Sequence, residues 1–91
     1  MELLFGNSFY RDWDNINSKA VGIAIGEIVK KVKSVDSISH IPRAKKLIKF
    51  ETRYKIEFHI QNKVYWIFCI VDGKKIEFVR VKSESFLKKN L

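Results

Sequence analysis

The chain reads as one small α+β domain: an N-terminal strand, an αα-hairpin, and a three-stranded antiparallel meander packed on the helices. Three observations predict this. Apolar residues between 19 and 35 recur every three or four positions, as on a helix with one buried side. Residues 53–60 alternate strictly between polar and apolar, as on a half-buried strand. Asp72-Gly73 stands between two apolar runs and is the strongest hairpin signal in the chain.

Each element has its own warrant. Residues 2–6 read as a short strand, closed by the turn signal Gly6-Asn7. Ser8 is placed to cap a first helix through Asn15, with Phe9 and Trp13 four apart on one side. Ser18 caps the second helix, whose stripe is Val21, Ala24, Ile25, Ile28, Val32 and Val35. Lys30, Lys31 and Lys33 suit the negative end of that helix. Residues 36–42 are a polar connector ending in Pro42, and a basic segment runs from Arg43 to Lys49. The strands are 53–60, 64–71 and 74–82, and the tail from Ser83 to Leu91 is read as a short helix carrying Lys88.

A chain of 91 residues makes a single domain, 1–91, with a modest core. Hydrophobic residues are 46% of it, which excludes disorder. The net charge of +8 points to a polyanion: RNA, DNA or an acidic protein segment. Cys69 is the single cysteine, so neither a disulfide nor a metal-ligand cluster is expected, and a cytoplasmic setting follows. No leader and no membrane span is expected, and nothing implies a cofactor or a metal.

Pairing across the turns divides the sheet into two faces, because residues directly opposite share a face. A three-residue turn at 61–63 pairs Ile60 with Val64. A turn at Asp72-Gly73 pairs Cys69 with Ile76, Ile67 with Phe78, and Tyr65 with Arg80. This register sends Tyr54, Ile56, Phe58, Ile60, Val64, Trp66, Phe68, Ile70, Val79 and Val81 under the helices. It leaves Arg53, Lys55, Glu57, His59, Tyr65, Ile67, Cys69, Ile76, Phe78 and Arg80 on the open face. A slip of one residue exchanges the two sets.

The passage Lys45-Lys46-Leu47 before Arg53-Tyr54-Lys55-Ile56 looks like "KKL…YRI". Residues Ser34-Val35-Asp36-Ser37-Ile38-Ser39-His40-Ile41 look like the connector "SADSIS.I", and Ile76-Glu77-Phe78-Val79-Arg80-Val81 like a last strand "VIFVRF". With the order of elements, these passages resemble the RelE/ParE family of bacterial toxins, and within it the RelE-like subgroup. The resemblance covers nearly the whole chain. It implies the toxin of a type II toxin–antitoxin system, held in check by a cognate antitoxin. RelE-type members are endoribonucleases that cut mRNA on the ribosome; ParE-type members poison DNA gyrase and lack the nuclease residues. A ParE-like or catalytically inert protein that docks on a protein target is therefore the alternative.

The chain departs from the RelE pattern. Lys55 matches the first basic residue of "YKI", but Glu57 stands where a second is usual. Tyr65, or Trp66 if the gap moves, stands at the strand-three arginine. Ser83-Glu84-Ser85-Phe86-Leu87-Lys88 replaces "HRKD.Y", so the terminal histidine, arginine and tyrosine are absent. RNA cleavage by 2′-OH attack needs a proton acceptor, a proton donor and positive charge. The residues expected to supply them are Lys55 and Arg80 for charge, His59 as base, Tyr65 as donor or stacking surface, and Glu57 as a second base. Arg43, Lys45, Lys46, Lys49, Arg53, Lys82 and Lys88 are expected to track the RNA backbone.

Overall fold

The structure is a computed structural model, and it describes residues 1–49 and 51–85. The short helix expected after Ser83 falls largely outside them, as does Lys88. In chain order the elements are β1 (Glu2–Phe5), α1 (Asn7–Ile16), α2 (Lys19–Ser34), a 3-10 turn (Ile38–His40), β2 (Ala44–Lys46), β3 (Arg53–Ile60), β4 (Lys63–Asp72) and β5 (Lys75–Ser83). The strands form one sheet in the order β1-β5-β4-β3-β2. The pair β1/β5 is parallel and the others are antiparallel. The expected α+β architecture stands, with one addition. The basic segment contributes an edge strand, β2, which pairs Lys45 with Lys55 and Lys46 with Tyr54.

The helical hairpin follows the sequence closely. Val21, Ile25 and Val32 are fully buried, and Ala24, Ile28 and Val35 pack beside them. Ser18 caps α2 by accepting a hydrogen bond from the Val21 amide at 3.2 Å. Ser8 does not cap α1. That helix starts two residues earlier, with Gly6 at the N-cap and no side-chain bond, because the Gly6 carbonyl accepts from Phe9 and Tyr10. Phe9 is fully buried, its ring 5.5 Å from that of Phe78 and 5.6 Å from that of Phe5.

The register of β4 is a correction. The β3/β4 loop holds two residues, Gln61 and Asn62, so Ile60 pairs with Lys63 and Phe58 with Tyr65. The β4/β5 loop is Gly73-Lys74, one residue later than expected, and Asp72 pairs with Lys75. Gln61 at φ 55° and Gly73 at φ 60° take the left-handed backbone at the first position of each loop. Glycine at that position is a favoured two-residue hairpin. The shift of one residue turns β4 over. Tyr65, Ile67 and Cys69 are buried with Ile56 and Phe58, and Val64, Trp66, Phe68 and Ile70 lie on the open face. Ile76 and Phe78 are core residues as well, fully buried opposite Val71 and Cys69. A bulge at Val79 then resets β5, so Arg80 faces Phe68 on the open side while Val81 returns to the core.

Among the described residues Asp12 is the one buried charged side chain. β1 pairs with β5 only as far as Phe78, which leaves the later edge of β5 without a strand. Asp12 fills that place. Its carboxylate accepts from the Val81 amide at 3.1 Å, from Arg80 Nε at 2.7 Å and Nη2 at 3.0 Å, and from Lys82 Nζ at 2.9 Å. Burial works against its charge, but the hydrogen bonds from Arg80, Lys82 and Val81 outweigh burial and hold its pKa below the ordinary value. The resulting stabilisation is complete above about pH 4 and is lost as pH falls through the lowered folded-state pKa.

Two measurements check this fold. Ile67→Ala should cost about 2–5 kcal/mol of unfolding free energy, as for a core aliphatic, and Phe68→Ala clearly less; the register expected from the sequence gives the opposite order. Asp12→Ala should cost about 1–3 kcal/mol at pH 7, the charge part being moderated by the half-exposed Arg80. The gap between the two proteins should narrow below about pH 3, and a gap equal at pH 7 and pH 2.5 would exclude the carboxylate as its source.

Candidate nucleic-acid interface

The open face is assembled by pairing across the sheet. One row runs Lys45, Lys55, Phe68, Arg80 from β2 to β5. The next runs Glu57, Trp66, Lys82, and the Glu57 amide bonds to the Arg43 carbonyl at 3.1 Å, which brings Arg43 to its edge. Arg53, Ile70 and Glu77 form a third row, and His59 faces Val64 at the far end. Cations therefore flank a central aromatic stripe on both sides. Lys55 Nζ lies 4.2 Å from the centroid of the Trp66 ring, a cation–π contact.

The expected site residues divide into three groups. Lys55, Glu57, His59 and Arg80 share the open face, but not one point on it. Lys55 and His59 are four residues apart on β3, roughly 13 Å by strand geometry. Tyr65 is not on this face: it is 7% exposed and stacks on Phe58, rings 5.3 Å apart. Of the backbone-tracking residues, Arg43, Lys45, Arg53 and Lys82 border the face. Lys46 shares the opposite side with Tyr54, yet with Lys45, Lys49 and Lys55 it lines a hollow of about 450 Å³ at the sheet edge. The exposed Ile48 adds an apolar wall to that hollow.

His59 and Glu57 form a carboxylate–imidazole pair, Nε2 to Oε2 at 2.5 Å. With Nε2 donating to Glu57, Nδ1 is left as an acceptor. The hydrogen bond from His59 holds the Glu57 carboxyl below the usual glutamate range, and Lys45 and Arg43 add to the effect. Arg80 is held firmly protonated by its bond to Asp12. Burial pushes the Cys69 thiol up, so it is unreactive in the folded chain.

Sequence reasoning placed Trp66 and Phe68 under the helices, with Trp66 named only as the alternative to Tyr65, and it missed Asp12. The first two lie in an unbroken apolar run, which carries no alternation to show a face. Asp12 stands three residues after Phe9, on the buried side of α1, and that spacing was the one available signal.

The whole architecture is similar to a chain of the RelB–RelE antitoxin–toxin complex from Methanococcus jannaschii. The TM-score is 0.76 at 23% sequence identity, over 97% of this chain and 98% of that one. The protein thus has a RelE-like fold. No family model matches the sequence, and no curated protein matches it. Among the described residues, no helix is long and apolar enough to cross a membrane.

The Glu57–His59 contact is directly measurable. A carbon-detected titration should place the Glu57 midpoint below the ordinary glutamate value of about 4.3. His59→Ala should move it upward, because the donor and its charge are gone. An unmoved midpoint would show that the pair does not form in solution.

Proposed function

We propose that the chain is the toxin of a type II toxin–antitoxin pair and acts on mRNA at the ribosome. The observation that carries this reading is the RelE-like sheet with its cations on the open face: Arg43, Lys45, Arg53, Lys55, Arg80 and Lys82. The net charge of +8 suits a polyanion as target and an acidic segment as restraint. The RelE-like fold favours mRNA for the first and a cognate antitoxin for the second.

Any cleavage falls on His59. Its Nδ1 takes the proton of a 2′-hydroxyl as the 2′-oxygen attacks phosphorus, the P–O5′ bond breaks, and the leaving 5′-oxygen takes a proton from water. Glu57 holds the imidazole in place, and Arg43 stands beside the pair for the phosphate charge. Lys55 and Arg80 belong to the neighbouring rows and hold the strand rather than the reacting phosphate. With Tyr65 in the core, no tyrosine donates to the leaving oxygen, so the cleavage expected is weak and depends on the ribosome to align the RNA.

That burial of Tyr65, together with the capture of Arg80 by Asp12, favours a second reading: a protein that arrests growth by docking on a protein target such as DNA gyrase. Induction in a bacterial host separates the two. The first reading expects growth arrest with new mRNA ends, reduced at least tenfold in His59→Ala and in a Lys55→Ala/Arg80→Ala double variant. Arrest of equal strength in all three, with no new ends and inhibited supercoiling, would establish the docking mode instead.

A further inference from the structure

We infer that Trp66 and Phe68 form a stacking platform for two successive unpaired bases, so that the isolated protein binds single-stranded nucleic acid and not duplex. The inference rests on the RNA reading above and adds a binding mode to it.

The two rings stand at i and i+2 on the central strand, on one face and about 7 Å apart along it. Both are partly exposed on the side away from the helices, an unusual place for two large aromatics in the middle of a sheet. Sheets that carry aromatics in this way bind RNA by stacking its bases on the rings. The rows supply what such a platform also needs. Lys45 and Lys55 lie on one flank, Arg80 and Lys82 on the other. Bases over the centre would thus leave their phosphates over positive charge.

The Lys55 contact shows that the Trp66 ring is reachable. A lysine tip at 4.2 Å occupies the space that a base would take. Lysine is flexible, and on entry of a base its ammonium moves the short distance to the adjoining phosphate. Asp12 keeps the other flank rigid. It holds Arg80 through Nε and Nη2 while the side chain stays 45% exposed, so the guanidinium can still meet a phosphate. Of the carboxylates of the face, Glu57 is opposite Trp66 but is engaged by His59, Glu77 is in the Ile70 row, and Asp72 and Glu2 lie farther off in the Lys75 row. Duplex is excluded by geometry, since its bases already stack on one another.

The test uses the full chain and a ten-nucleotide oligouridine at low salt. Tryptophan fluorescence should be quenched on binding, and Trp66→Leu should abolish that quenching while Trp13 remains. Phe68→Leu should weaken binding about tenfold, with little change in the salt dependence, because stacking and charge are separate contributions. Lys55→Ala should instead flatten the salt dependence. A self-complementary RNA duplex of the same length should bind at least tenfold more weakly. Equal affinity for the two RNAs without quenching would overturn the platform. So would tighter binding to polyglutamate than to oligouridine, which would mark the face as a seat for an acidic protein. Because both rings point away from the core, the leucine variants should fold; if one does not, quenching in the unaltered chain still decides. Growth arrest is scored separately, so a failed platform leaves the toxin reading standing or falling on its own assay.

Discussion

The central strand β4 has one register, and the two loops that bound it enforce it. Gln61 and Gly73 each open a two-residue loop with left-handed backbone, which fixes the strand at both ends. With the parity of β4 set, Tyr65, Ile67 and Cys69 complete the core under α2, and Trp66 and Phe68 are committed to the other face. The bulge at Val79 follows from the same constraint. It lets β5 bury Ile76, Phe78 and Val81 and still present Arg80 beside Phe68.

The second constraint is at the edge. A short parallel β1 leaves the end of β5 unpaired, and an open edge amide beside a buried helix would be costly. Asp12 answers it with a single carboxylate that takes the Val81 amide and both flanking cations. Helix α1 is thereby tied to the strand that carries Arg80 and Lys82, so stability and the charge of the open face depend on one group. A buried ion pair of this kind adds less stability than its geometry suggests, since desolvation offsets much of the attraction. Its clearer effect is to hold two basic side chains in fixed positions.

The open face therefore joins two chemistries. Cations on its flanks attract a polyanion without regard to sequence, and the aromatic stripe between them suits flat, unpaired groups. His59 stands toward the far end of β3 from the row containing Lys55 and Arg80, and its partner Glu57 lies in the row between. This separation argues for a face that binds broadly and reacts, if at all, at one corner.

The sequence by itself determined the two helices, the N-terminal strand, the three-stranded meander, and the polar side of β3. It could do so because 3.6-residue and two-residue periods are local properties. Lys55, Glu57 and His59 were legible as open-face residues for that reason, and Arg43 and Lys45 as a basic approach to them. The run from Val64 to Val71 has no period, so either face of β4 satisfied the pattern equally well. Placing Tyr65 inside and Trp66 outside was left to tertiary structure, through a β3/β4 loop one residue shorter and a β4/β5 loop one residue later than the simplest reading. The partnership of Asp12 with Arg80 and Lys82 was also invisible, because a contact spanning 68 residues depends on where the edge of a sheet falls, and no local pattern encodes that.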